Sequence, residues 1–265
     1  YGFVPDESPV IFTNNSSTYS LLKSLTDLGH KPKAYVDIRD QKNIEKETLD
    51  LLEKFNVPFY PKSEIEGCEG QKEVKKVSIR TKKNQITKIK TSMLCVSGGF
   101  NPDIHLFTQS KGLLKWDKEH LTFKPDRIFQ KTITLGSVSG NFSYEKLLVE
   151  VEKKLSAFEG LNELEVKFEL NGPEKFQIKE LWETKHEKKS LWSKSFIDLQ
   201  NDVTTKDLRQ AVNEGFNRIE HLKRFTTNSM GTDQGKISSI NALGIVSKIL
   251  KKDISEVGTT TYRPP

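Results

Sequence analysis

The sequence predicts an α/β domain followed by a small helical module, on three observations. Residues 9–39, "PVIFTNNSSTYSLLKSLTDLGHKPKAYVDIR", run from a β-branched and aromatic segment through an amphipathic one to a second β-branched one. That order is a β-α-β unit. Further strand-like segments follow up to residue 97, and beyond residue 200 the apolar period becomes helical. A chain of 265 residues has room for two such domains, each with its own core.

The elements follow in order. A strand starting near Pro9 leads into a polar turn and a helix carrying Leu21, Leu22, Leu25 and Leu28, which Gly29 stops before a strand ending near Asp37. The turn is "TNNSST", where a dinucleotide-binding unit would carry G-x-G-x-x-G. Without glycine the backbone cannot come close to a pyrophosphate. Asp37 stands where such a unit places a ribose-binding acid, although acids at strand ends are common. A helix over 46–56 and the run "VPFY" continue the unit, and "SEIEGCEG", "EVKKVSIRT", "QITKIKT" and "SMLCVS" read as strands.

Residues 97–117, "SGGFNPDIHLFTQSKGLLKWD", read as a loop where a strand end could meet a ligand. Cys95, in the apolar run before it, reads as a buried structural thiol. Residues 127–155 read as a strand, a turn at Gly136 and Gly140, and a helix carrying Leu147, Leu148, Val151 and Leu155. The small residues of that turn suit either a ligand or tight packing. Residues 159–195 form a charged connection in which His186 is solvated. A helix capped by Thr204 or Thr205 then carries Leu208, Ala211 and Val212 and ends at Gly215. A second helix carries Phe216, Ile219 and Leu222, and a third, after the "TTNSMGTDQGK" loop, carries Ile240, Leu243, Val246 and Leu250.

Composition narrows the function classes. Hydrophobic residues are 34% and charged ones 29%, and the mean hydropathy is −0.58, as in water-exposed globular proteins. No apolar run approaches the roughly 20 residues that cross a bilayer. The opening "YGFVPDESPVIF" lacks the pattern of a signal peptide and, with the closing "TTTYRPP", reads as the middle of a longer protein. Two cysteines, Cys68 and Cys95, exclude a disulfide framework, favour a reducing cytoplasmic compartment and fall short of four thiolates for a cluster. Much of the net charge of +6 lies in "KEVKKVSIRTKKNQITKIK", residues 72–90, with apolar Val74, Val77, Ile79, Ile86 and Ile89. No aromatic stands there to stack a base, so a lysine-faced hairpin is expected and no nucleic-acid partner. His105 and His221 are single histidines beside apolar residues, and no nucleophile, base and acid set is readable.

"FIDLQNDVT", "EGFNRIEHLKRFTT" and "MGTDQGK" resemble the bacterioferritin-associated ferredoxin-like module, which holds a [2Fe-2S] cluster in many flavin oxidoreductases. The places of its four cysteines are filled by Asp198, Gln200, Asp233 and Ser238, so the resemblance implies the scaffold without its cluster. With "FTNNSSTYSLLKSL", "SGGFNPDIHLFTQS" and "EVGTTTYRPP", the whole chain resembles the α-subunit family of heterotetrameric sarcosine oxidase.

That resemblance implies a partial Rossmann-like domain of FAD/NAD-oxidoreductase type over 1–158, with a second Rossmann-like unit at 8–91 and a return to the first dinucleotide domain at 92–158. The connection at 159–195, the cluster-less module at 196–258 and a linker at 259–265 would follow. The first β-α-β unit would precede Tyr1, and a folate-binding domain would follow Pro265. The family complex, with β, γ and δ subunits, oxidises sarcosine to glycine. Electrons pass from FAD in β to FMN at the α/β interface and then to oxygen, and the one-carbon unit goes to tetrahydrofolate or leaves as formaldehyde. The resemblance places Thr226, Thr227, Thr232, Gln234 and Lys236 toward FMN and Thr108, Leu113 and Lys115 toward NAD. It places no catalytic residue and no metal ligand in this chain. The large subunit of a related N-methylamino-acid or amine dehydrogenase and a non-redox scaffold module are the alternatives.

Overall fold

The computed structural model describes residues 8–142, 144–155, 176–184 and 193–259. It forms two compact units, residues 1–99 with 173–185, and residues 100–172 with 186–265. The predicted connection at 159–195, with His186, lies largely outside the described residues.

In the first unit the predicted β-α-β order is present as β1 (Val10–Thr13), α1 (Thr18–Asp27) and β2 (Ala34–Asp37), followed by α2 (Lys46–Lys54) and β3 (Phe59–Pro61). Strands β4 (Glu64–Glu69), β5 (Lys76–Arg80), β6 (Ile86–Lys90) and β7 (Leu94–Ser97) come next. The sheet β3-β2-β1-β7 is parallel throughout. Alternation along β1 divides its side chains between two cores. Ile11 joins Tyr35 against Leu22 and Leu25 of α1 and Leu52 of α2. Val10 and Phe12 join Ala34 and Val36 against Ile65, Val77 and Ile79 of the antiparallel sheet β4-β5-β6. Burial on both faces explains why every residue of β1 and β2 is buried. The lysine-rich hairpin is β5–β6, with Val77 and Ile79 inward and Lys88 and Lys90 outward. Cys95, expected to be buried, is only half-buried and packs against the Ile11 core.

The second unit departs from expectation at its start. The predicted 97–117 loop contains α3 (His105–Gln109) and β8 (Leu113–Asp117), and β8 pairs antiparallel with β9 (Thr122–Arg127). The strand expected from 127 onward therefore lies earlier. Trp116 and Phe123 face each other across the ladder, with ring centroids 5.0 Å apart. The hairpin lacked its usual signal because its turn has no glycine, and Leu121 itself takes φ +51°. A short 3₁₀ turn at Gly136–Ser139 leads toward α4 (Tyr144–Leu155). Gly136 has φ +67°, and a Cβ there would come within 2.9 Å of Leu147, so tight packing accounts for that glycine.

The helical module opens on β10 (Phe196–Asp198) and β11 (Val203–Thr204), which pair antiparallel. Of the two predicted caps for helix α5 (Thr205–Asn213), Thr204 takes the place, and its N–H and hydroxyl both donate to the Asp207 carboxylate, at 2.8 and 2.7 Å. Next come α6 (Ile219–Thr226), α7 (Ser238–Leu250) and α8 (Ile254–Val257). Leu208, Ala211, Leu222, Leu243 and Val246 are buried at helical spacing. Phe216 lies ahead of α6 instead of on it, and its ring stacks on Phe225 with centroids 4.5 Å apart.

Candidate functional site

The four positions implied as former cluster ligands converge on the loop between α6 and α7. Asp198, at the end of β10, is 3% exposed. Its Oδ1 accepts from the N–H groups of Gln200 at 2.9 Å and Asn201 at 3.2 Å, and its Oδ2 from that of Ser229 at 2.7 Å. Three backbone donors compensate the burial of this carboxylate. Gln200 Oε1 accepts from the Thr232 hydroxyl at 3.1 Å and the Asp233 N–H at 3.3 Å. Asp233 Oδ1 accepts from the Gly235 N–H at 3.1 Å. The Ser238 hydroxyl lies 3.0 Å from that of Ser229, to which Ser239 also donates at 2.9 Å. Side-chain oxygens and backbone amides thus knit together the place where thiolates are expected in the resembled module. Among the described residues no group of three or more His, Cys, Asp or Glu could hold a metal ion, and both cysteines lie in the first unit.

The loop is tightly wound. Thr227, Ser229, Gln234 and Gly235 have φ of +61°, +64°, +51° and +76°. A β-branched residue such as Thr227 rarely adopts this region. Asn201 Nδ2 helps to hold it there by donating to the Thr227 carbonyl at 3.0 Å.

Of the eight predicted cofactor contacts, four lie on this loop and a fifth, Thr226, is the last residue of α6. The Thr226 hydroxyl donates back to the Leu222 carbonyl at 2.9 Å, and Thr227 is the left-handed cap of α6. Thr232 is exposed while bonded to Gln200, and Gln234 Nε2 donates to the Gly231 carbonyl at 2.9 Å. Lys236 meets Asp103 at 3.1 Å, both more than half exposed. Burial acts on Asp103 in the opposite direction, but Lys236 and His105 bring its carboxyl below the usual value. The other three contacts stand on α3 and β8: Thr108 donates to the His105 carbonyl at 2.9 Å, and Leu113 and Lys115 are exposed. The Lys236–Asp103 pair links the loop to the segment leading into α3.

Two features of the loop were not foreseen. Asn228 is 1% exposed, and its Oδ1 has no partner although Nδ2 donates to the Ser229 hydroxyl at 2.8 Å. Leu199, Met230 and Ile237, in or beside the loop, are exposed apolar residues, at 76%, 43% and 70%. The adjoining Asn and Ser of "TTNSMG" signal a turn, but their burial depends on tertiary contacts.

In the first unit, Asp37 does not offer its carboxylate to a ribose. It is fully buried, and Arg39 holds it through its backbone N–H at 2.7 Å and Nη2 at 2.8 Å. Burial pushes the Asp37 carboxyl above its usual value while Arg39 opposes that shift.

Residues 192–265 match the family described as the sarcosine oxidase A3 domain. The whole chain is 32% identical to the sarcosine oxidase subunit alpha of Rhizobium meliloti (strain 1021), of which it covers 26%. Over 67% of its length it is 29% identical to the sarcosine oxidase subunit alpha of Corynebacterium sp. (strain P-1), covering 19% of that protein. The chain thus spans about a quarter or less of the length of these curated relatives. The crystal structure of L-proline dehydrogenase from P. horikoshii matches all of this chain and 49% of its own, with TM-score 0.56 and 19% identity. At that identity the likeness shows the α/β fold alone.

Proposed function

We propose that this chain, homologous over its full length to sarcosine oxidase α subunits, is the central part of such a subunit. The whole complex would oxidise sarcosine to glycine, with oxygen reduced to H2O2 and the one-carbon unit passed to tetrahydrofolate or released as formaldehyde. The observation that carries this reading is the similarity to two sarcosine oxidase α subunits together with the A3 match. The sarcosine-oxidising groups, FAD and the folate site would lie outside this stretch, and the β, γ and δ subunits would complete a cytoplasmic heterotetramer.

Within that complex the α6–α7 loop would border FMN. Its donor set suits a flavin edge or phosphate: hydroxyls of Thr226, Thr227 and Thr232, the Gln234 amide and the Lys236 cation. The exposed Leu199, Met230 and Ile237 in or beside the loop fit a surface completed by another molecule. A [2Fe-2S] cluster does not fit, because Asp198, Gln200, Asp233 and Ser238 supply no thiolate. NAD would meet Thr108, Leu113 and Lys115.

The test is the visible absorption spectrum and iron content of the full complex captured through this chain, with sarcosine-dependent H2O2 formation. Flavin bands without iron and turnover with sarcosine are expected. Iron at two atoms per chain would overturn the cluster-less reading, and a colourless complex would overturn the flavin one.

A further inference from the structure

The first unit contains the place where open α/β sheets receive their ligands, and that place is filled by the chain itself. From β1 the sheet grows one way to β2 and β3 and the other way to β7, so the switch point lies at the carboxyl ends of β1 and β7. Asn15 Nδ2 ties these ends together, donating to the Ser97 carbonyl at 3.1 Å and its hydroxyl at 3.2 Å. The hydroxyls of Ser17 and Ser97 are 2.7 Å apart.

A remote segment lies over this turn. Residue Ile178 forms an antiparallel bridge with Asn15. The Lys179 N–H donates to the Asn14 carbonyl at 2.8 Å, and Asn14 Nδ2 to the Lys179 carbonyl at 2.9 Å. The Gln177 carbonyl receives the Ser16 N–H at 3.0 Å, the Ser16 hydroxyl at 3.1 Å and Arg39 Nη1 at 3.4 Å. An amide at a helix start, a hydroxyl and a guanidinium are the donors a phosphate would use, and here they meet a main-chain oxygen. A Cβ on Gly99 would stand 2.6 Å from Ile178 Cδ1, so that side chain seats on the glycine at the end of β7. Asn14, Asn15 and Ser16 are buried, whereas Gln177 and Lys179 are exposed above them. The charges also disfavour an anion: one guanidinium, Arg39, faces two carboxylates, Asp37 and Glu45.

We propose that residues 177–179 are an intramolecular strap occupying the phosphate position of the β-α-β unit, so that this unit is closed to dinucleotides. A nucleotide held by the whole protein would bind elsewhere.

Hydrogen exchange by mass spectrometry on the full-length protein in its complex tests this, with NAD and ADP each added at millimolar concentration. Peptides covering 10–20 and 176–182 are expected to exchange identically with and without nucleotide. Peptides covering 105–115 report separately on the proposed NAD contacts, so the two readings can fail independently. The variant Ile178→Gly should speed exchange of the Ser16 and Ser17 amides by about tenfold or more. The milder Lys179→Ala removes only the bond from Nζ to the Ile38 carbonyl, at 3.0 Å, and should give a smaller rise in the same peptide. A nucleotide-dependent change at 14–17 or 176–180, or unchanged exchange there in both variants, would overturn the strap.

Discussion

The β1–α1 turn and the α6–α7 loop both lack the residues that would give them a familiar cofactor, yet they are closed in different ways. The turn is sealed by groups distant in sequence, a buried Arg39 between Asp37 and Glu45 and a segment more than 160 residues later in the chain. The loop is closed by short polar side chains and local amides, with Asp198, Gln200 and Asn201 reaching it from the β10–β11 turn and Asp103 meeting Lys236. Asn14, Asn15 and Ser16 are buried, while Thr227, Thr232 and Lys236 of the loop are exposed. Loss of a binding signature can thus leave a sealed core or a rearranged surface, and a surface can still serve a partner or a ligand.

The largest effect should come from breaking the sealed turn. Arg39→Met leaves Asp37 and Glu45 buried without their cation and should destabilise the first unit by about 3–5 kcal/mol, read from denaturant unfolding. A loss below about 1 kcal/mol would show that the ion pairs do not hold the turn. In the loop, Asp198→Ala strands three backbone N–H groups and should cost about 2–3 kcal/mol. If Asp198→Ala proved as costly as Arg39→Met, the contrast between sealed turn and adaptable loop would fail.

A smaller, pH-dependent effect belongs to the β8–β9 hairpin. Burial opposes it, but the Lys124 ammonium and the N–H groups of Glu119 and His120 lower the Asp117 carboxyl to about 2. A carboxylate with a depressed folded pKa stabilises above its unfolded value, and that contribution disappears as pH falls through the folded one. Asp117 should therefore contribute about 1–2 kcal/mol at neutral pH, lost between about pH 4 and pH 2. Acid titration of Asp117→Asn should lack this component, and an unchanged acid profile would remove Asp117 from the account.

Least of all should change with Lys236→Ala. Its exposed pair with Asp103 predicts less than about 0.5 kcal/mol of stability, while the proposed flavin contact predicts weaker flavin retention by the complex. Equilibrium dialysis of the flavin from both proteins separates these effects, and equal retention would remove Lys236 from the contact set.

The sequence by itself determined the β-α-β unit, the lysine-faced hairpin, a threonine cap at 204 or 205 and the core faces of α5 and α7. These rest on local period and capping chemistry, which neighbours a few residues apart decide. It also marked the positions of Asp198, Gln200, Asp233 and Ser238, through a resemblance rather than through their spacing. Only the tertiary structure decided the β8–β9 hairpin, because Leu121 takes a conformation that glycine usually signals. It alone decided that Gln177 reaches Ser16 and that Arg39 reaches the same hydroxyl, since partners so far apart leave no periodic trace in the chain. Burial of Asn228 likewise depends on the packing around the loop, and the residue's polarity gives no hint of it.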